Sequence, residues 1–112
     1  MALKSRIPAI VRALSKALDR AAEETAKLVK KERDRLVPYD SGDLLESGEV
    51  WPGPQLGHWF VEEGAGLPDA RASYTEYGTD KQDAQPHMTP AAELGRKALP
   101  ANVKKHVKAV MP

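Results

Sequence analysis

The chain contains no cysteine, and aromatic residues make up only 5% of its 112 residues. Without cysteine there is no disulfide framework, no thiolate nucleophile and no cysteine-based metal site. Apolar runs are only a few residues long, so we expect no membrane-spanning segment. The N-terminus also lacks the apolar stretch of a signal peptide. These absences favour an intracellular protein with no catalytic thiol.

The residues that are present indicate an ordinary globular domain. Hydrophobic residues account for 41% of the chain and charged residues for 29%, so disorder is not expected. A chain of this length supports one domain, 1–112, with a single modest core. No internal repeat or low-complexity segment interrupts it.

Charge is nearly balanced in total, with a net of +1, but it is unevenly distributed. Residues 1–36 carry 10 Lys/Arg and 5 Asp/Glu, residues 37–85 carry 2 and 10, and residues 86–112 carry 5 and 1. Basic ends therefore flank an acidic middle. Two explanations remain open: an ordinary solvated surface, or basic helices of one copy facing acidic strands of another.

A long N-terminal helix is predicted by apolar residues at alternating spacings of three and four, from Ile7 to Leu28. Ser5 is a candidate N-cap, Pro8 falls in the first turn, and Pro38 ends the helix after residue 36. A helix from 8 to 36 is about 43 Å long, whereas a compact domain of this size is roughly 35 Å across. The helix should overhang its own domain, and a neighbouring copy is the simplest cover.

The middle of the chain, residues 39–79, reads as a small antiparallel sheet. Short alternating runs predict three strands, which are Gly48–Trp51, His58–Glu63 and Ala70–Tyr77. The Pro52-Gly53-Pro54 sequence stops the first strand, and Gly78 ends the third with a turn that accepts positive φ.

A polar loop at 80–89 and a C-terminal helix at 90–112 complete the prediction. Thr89 is a candidate N-cap, Pro90 suits the first helical position, and Pro100 should break the helix. The fold class is therefore α+β: a long N-terminal helix and a C-terminal helix packed on a small antiparallel β-sheet.

No constellation for catalysis, cofactor binding or metal binding emerges from the residues. The three histidines, His58, His87 and His106, fall in different elements, and a His58–Glu62 pair is short of the ligands that a metal site needs. The serines lack a neighbouring His–Asp arrangement, and there is no phosphate-binding glycine loop. The Lys30-Lys31 pair has no interleaved aromatics of the kind used to read nucleic acid.

Three segments together resemble a known family. They are S-G-D-L-L-E-S at 41–47, Y-T-E-Y-G-T at 74–79 and Q-P-H-M-T-P-A at 85–91. Their order and spacing are similar to those of the tail-component or neck proteins of lambdoid-type tailed phages. The residues that carry the resemblance are Ser41, Gly42, Leu44, Ser47, Tyr74, Glu76, Tyr77, Gly78, Thr79, Pro86, Met88, Pro90 and Ala91. The chain departs from the family at Gly48, where a β-branched residue is usual, and at His87, where Phe is typical.

The resemblance implies a structural virion protein without catalytic residues or cofactors. Family members form a ring, typically of six copies, between the capsid portal and the tail tube, next to head-closure, connector or terminator proteins. DNA passes through such a ring without sequence-specific binding. The implied location is the virion neck or tail, after assembly in the host cytoplasm, and no membrane is involved. Part of the acidic stretch 40–83 would face the channel, where it repels phosphate.

Two alternatives from other classes remain open. One is a small regulatory module that binds nucleic acid through its basic helices, and it predicts that charge reversal at Lys30 and Lys31 abolishes salt-sensitive DNA binding. The other is a small enzyme whose site would depend on His58 or His87.

Overall fold

The computed structural model describes residues 2–38, 42–64, 71–80 and 83–111. It confirms the predicted α+β class: two long helices pack with a two-stranded antiparallel sheet. In chain order the elements are α1 (Ala2–Leu36), α2 (Asp43–Glu46), β1 (Glu49–Pro52), β2 (Trp59–Glu62), α3 (Arg71–Tyr77) and α4 (Met88–Val110).

Helix α1 ends at Leu36 as predicted but begins earlier than predicted, at Ala2. Ser5 is therefore not the N-cap, and Pro8 lies inside the helix rather than in its first turn. Proline at this position removes one bond from the helical ladder. The C-terminal end is closed by a bond from the Val37 backbone N–H to the Arg33 carbonyl, at 2.9 Å.

Helix α4 lies antiparallel along the second half of α1. Gly95 lies against Val29, and a β-carbon at Gly95 would overlap the Val29 side chain, so glycine permits the close approach. Further along, Asn102 Nδ2 donates to Thr25 Oγ1 at 2.9 Å. His106 Nε2 then lies 2.6 Å from a carboxylate oxygen of Glu24.

Three predictions about α4 are wrong. The helix begins at Met88 with His87 at the N-cap, so Thr89 is not the cap and Pro90 is the third helical residue. The helix also continues through Pro100 to Val110. Packing along α1 compensates for the single ladder bond that this proline removes.

The hairpin packs one face on α1 and exposes the other. Its register pairs Glu49 with Glu62, Val50 with Val61, Trp51 with Phe60 and Pro52 with Trp59. The inner residues Val50, Trp59 and Val61 are half-buried. Asp19 of α1 holds the far end of the hairpin, since its Oδ1 accepts the Gly57 backbone N–H at 2.8 Å and the Trp59 indole N–H at 3.1 Å. Each strand lies within one residue of its predicted bounds.

The predicted third strand is wrong, because residues 71–77 form α3. Four alternating residues are too few to distinguish a strand from a short helix when tertiary contacts favour the helix. In α3, Glu76 is buried and Tyr77 is 77% exposed. Gly78 does end the element with φ 81, but the element that it ends is a helix. Thr79, after α3, forms an isolated β-bridge.

The molecule is elongated. Its radius of gyration is 18.2 Å and its extents are 69 × 24 × 20 Å, whereas a compact domain of this size would have a radius of about 13 Å. The cause is α1, whose N-terminal part runs beyond the region that α4 covers and exposes Ile7, Ile10, Val11 and Leu18. The predicted overhang is therefore present. Neither long helix has a stretch apolar enough to cross a membrane.

Candidate functional site

A completely buried arginine stands at the C-terminal end of α1. Arg33 is 0% exposed. Its Nε donates to Glu63 Oε2 at 2.8 Å, and its Nη1 donates to Asp34 Oδ1 and to the Leu45 carbonyl, each at 2.7 Å. Its Nη2 donates to the Leu44 carbonyl. A buried guanidinium is tolerated only when its donors are satisfied in this way.

The first family-like segment forms a collar around this guanidinium. Gly42 has φ 87 and is the N-cap of α2, which presents the Leu44 and Leu45 carbonyls to the arginine. Ser47 Oγ donates to the Leu44 carbonyl at 2.7 Å and accepts the Gly64 backbone N–H at 2.9 Å. These contacts hold the start of the hairpin against α1.

Gly48 completes the collar by having no side chain. A β-carbon at this position would overlap Nη1 of the Arg33 guanidinium. The glycine at residue 48 therefore has a local structural reason, because the arginine needs the space.

His87 is the second buried polar residue, at 0% exposed. Its Nε2 lies 2.7 and 2.8 Å from the two carboxylate oxygens of Glu63. Its Nδ1 lies 3.2 Å from the Gln85 carbonyl and 3.5 Å from Glu76 Oε1. Both ring nitrogens thus face oxygen atoms.

Glu76 caps the N-terminus of α4. Its Oε1 accepts the backbone N–H groups of His87 at 3.0 Å and Met88 at 2.8 Å, and its Oε2 accepts that of Thr89 at 3.2 Å. Burial raises the pKa of Glu76, but these hydrogen bonds outweigh it and hold the pKa below its ordinary value. The carboxylate also stabilises the positive end of the helix dipole.

Arg33, Glu63, His87 and Glu76 form one continuous network, here called the buried charge network. It joins the end of α1, the residue after β2, the end of α3 and the start of α4. Arg33 supplies a positive charge to this network, and Glu63 and Glu76 supply its carboxylates. Among the described residues, no buried side-chain nitrogen or oxygen lacks a hydrogen-bond partner. The arrangement is therefore suited to hold four elements together.

The network brings two distant parts of the sequence together. Gly42, Leu44 and Ser47 lie around Arg33, while Glu76 and Met88 lie at its other end, and Ala91 is 0% exposed one turn into α4. Among the described side chains of the family-like segments, those of Tyr77, Pro86 and Pro90 do not join it. These three residues are exposed. Gly78 and Thr79 follow α3. For Tyr74 the structure describes only the backbone, and Ser41 lies outside the described residues.

The sequence prediction missed this network. His87 carried the signal that could have found it, because a buried histidine needs a polar partner. The tertiary fold decides which carboxylates, here those of Glu63 and Glu76, lie beside the histidine. His58 is exposed on the hairpin and His106 contacts Glu24, so these two histidines lie elsewhere.

Glu63, Glu76 and His87 also present ligand atoms within 4.8 Å of one another, close enough for a cation. Their carboxylate oxygens already have hydrogen-bond partners. Glu63 accepts a bond from Arg33 and contacts His87, and Glu76 accepts three backbone N–H groups. A divalent cation would also stand beside the positive charge of Arg33. The residues present fit an internal ion network better than a metal centre.

The basic cluster near the end of α1 is largely neutralised within the helix. Lys30 Nζ lies 2.6 Å from Asp34 Oδ2. Arg35 pairs with Glu32, and this hydrogen bond lowers the pKa of Glu32 and raises that of Arg35. An open groove between α1 and α2 is lined by these residues, Lys31 and Glu46. Its lining mixes both signs of charge, so it is not a uniform phosphate-binding surface.

This chain matches no described protein family, no curated protein and no solved structure.

Proposed function

We propose that this protein is a structural virion component that forms a ring, of six copies by resemblance, at the head-to-tail junction of a tailed phage. In this role it joins or completes the tail and lets DNA pass. Its neighbours would be head-closure or connector proteins on one side and tail-tube or terminator proteins on the other. The proposal begins from the similarity of residues 41–47, 74–79 and 85–91 to the phage family.

The observation that carries the proposal is the incomplete burial of α1. Ile7, Ile10, Val11 and Leu18 are each between 42% and 55% exposed on a helix that extends beyond its own domain. Contiguous exposed apolar surface of this kind is typical of an interaction site. A protein that works only as part of an assembly would have this feature.

The buried charge network supports the same function. A subunit in a ring has to present its surfaces at fixed angles, and the network ties the hairpin, α3 and α4 to the end of α1. The segments that resemble the phage family supply the collar of Arg33 and the cap of α4. Their role in this fold is thus to fix geometry, as the proposed function requires.

Charge supports the proposed path for DNA. Asp80 and Asp83 follow α3 and are exposed, within a stretch that carries 10 acidic and 2 basic residues. We place part of this stretch at the lumen, where it would repel the phosphate backbone and let the genome slide. The basic helices would then serve contacts between subunits.

The mass of the protein in solution and in assembled particles tests the proposal. Light scattering should show a single closed oligomer of about six copies, and electron microscopy should show rings with a central hole. A protein that stays monomeric in solution and in particles would exclude the proposal. A ring whose lumen is basic would exclude the sliding role of the acidic stretch.

A further inference from the structure

One unpartnered surface lies on the N-terminal part of α1. Ile7, Ile10, Val11 and Leu18 recur at helical spacing and are here called the helix stripe. The stripe continues the same line of the helix that packs on α4 at Thr25 and Val29. Because α4 runs antiparallel and ends at Val110, it ends about level with residue 20 at 1.5 Å per residue. The stripe is therefore a core-facing surface that α4 does not reach.

A second unpartnered surface lies on the hairpin. Trp51 and Phe60 are directly opposite each other in the register, and they are 47% and 48% exposed. Leu56 in the connecting turn is 65% exposed. Since Val50 and Val61 point toward α1, alternation places Trp51 and Phe60 on the opposite side. We call this surface the hairpin outer face.

The two surfaces have opposite charge. Residues 2–18 contain four Lys/Arg and no Asp/Glu, while residues 43–63 contain five Asp/Glu and no Lys/Arg. Within the outer face, Glu49 stands directly opposite Glu62 and both are exposed. Like charges in this position destabilise a strand pair, and a cation brought by a partner would relieve the repulsion.

The helix stripe cannot reach the outer face of its own chain. The hairpin lies on α1 between Asp19 and Arg33, with its inner face on the helix and its outer face directed away. Helix α1 is continuous from Ala2 to Leu36, so its N-terminal part cannot fold back over the hairpin. Only a second copy can bring a helix stripe to an outer face.

We propose that the helix stripe of one copy docks on the hairpin outer face of the next. Ile7, Val11 and Leu18 contact Trp51 and Phe60, and the net positive charge of residues 2–18 is attracted by the net negative charge of residues 43–63. Because the two surfaces differ, the contact is head-to-tail and repeats from copy to copy. Closure of this repeat into a ring rests on the proposed function, whereas the pairwise contact does not.

Disulfide trapping tests the contact. Because the natural chain contains no cysteine, any disulfide that forms involves the introduced cysteines. I7C, V11C and L18C are each mixed with F60C and oxidised, with A92C on the exposed side of α4 as the control partner. At least one stripe variant should form a heterodimer with F60C several-fold above the A92C background. Stripe variants and F60C should not crosslink with themselves. Absence of a heterodimer above background overturns the proposal. Crosslinking of V11C to itself also overturns it, because it would mean that two helix stripes pack together.

A non-covalent measurement gives an independent answer. V11D places a charge within the helix stripe, and F60D places a charge within the hairpin outer face. Both positions are exposed, so both variants should fold. Each variant alone should be monomeric by light scattering, and an equimolar mixture should form a heterodimer and nothing larger. A mixture that remains monomeric while the unmodified chain assembles overturns the contact.

The V11C/F60C double variant separates the two proposals. A ladder of crosslinked species that stops at one closed mass supports both the contact and the ring. A ladder without an upper limit means that the contact is right and that the proposed ring is wrong.

Discussion

The guanidinium of Arg33 occupies the space that a β-carbon of Gly48 would need. Nη1 of Arg33 is the nearest atom to that position, and the guanidinium is held there by Glu63, Asp34 and two carbonyls of α2. The glycine and the arginine are therefore a matched pair. Neither can be changed without affecting the other.

Gly48→Ala should lower the free energy of unfolding by about 3 kcal/mol, because displacing a buried guanidinium leaves charges without partners. Urea denaturation measures the change. In an Arg33→Met background the same glycine change should cost much less, since the group that it displaces is gone. Equal costs in both backgrounds would show that the two residues are not coupled.

Glu76→Gln should lower the free energy of unfolding by about 1–2 kcal/mol, because a neutral amide is a poorer acceptor for the N-terminal N–H groups of α4 and loses the favourable charge at the helix dipole. Glu93→Gln is the matched control, since Glu93 is exposed on α4 and pairs with Arg96 at the surface. The control should leave stability essentially unchanged. A loss as large for Glu93→Gln as for Glu76→Gln would refute the capping role.

Acid should remove the contribution of Glu76. Its pKa is lower in the folded state than the ordinary value of about 4.3, so its stabilising effect is present above that value and is lost as pH falls through the folded pKa. The difference in stability between the unmodified chain and Glu76→Gln should therefore be constant from pH 7 to about 5 and shrink below about 4. Other carboxylates with lowered pKa values contribute equally to both proteins and cancel. A difference that grows on acidification would contradict the assigned direction.

Local patterns were enough to predict much of this fold. Apolar spacing from Ile7 onward determines α1, and the alternation around Trp59 determines β2, because both signals are local and periodic. The overhang of α1 beyond its own domain followed from the predicted length of this helix alone. The errors arose where a local pattern was short. Residues 74–77 alternate like a strand, yet Glu76 has to reach the first N–H groups of α4, and the helix is the conformation in which it does so.

The buried charge network could not be predicted, because its members are far apart in sequence. Arg33 and Glu63 are separated by 30 residues, and Glu63 and His87 by 24. Each looks like an ordinary surface residue when it is considered alone. Only the packing of the hairpin and α4 on the end of α1 brings them together. The role of residues 41–47, 74–79 and 85–91 around this network could not be predicted from the sequence either.

Metal ions should not stabilise the protein. The carboxylates of Glu63 and Glu76 are already occupied by Arg33, His87 and backbone N–H groups, so a cation would have to displace these bonds. The melting temperature should therefore be the same after dialysis against EDTA and after addition of Zn²⁺ or Mn²⁺. Titration of His87→Gln with Zn²⁺ provides the control for binding elsewhere. An increase of several degrees with Zn²⁺ that disappears in His87→Gln would show that this cluster binds metal after all.

Charge reversal at the end of α1 should not affect any DNA binding. Lys30 is paired with Asp34, and the groove beside it mixes both signs of charge, so few phosphate contacts are available there. The Lys30→Glu/Lys31→Glu variant and the unmodified chain should show the same weak affinity for duplex DNA and the same salt dependence, measured by fluorescence anisotropy between 50 and 200 mM salt. Lys104→Glu/Lys108→Glu on α4 is the matched control for the total charge. A selective loss of salt-sensitive binding in the Lys30/Lys31 variant would favour the nucleic-acid-binding module over the ring.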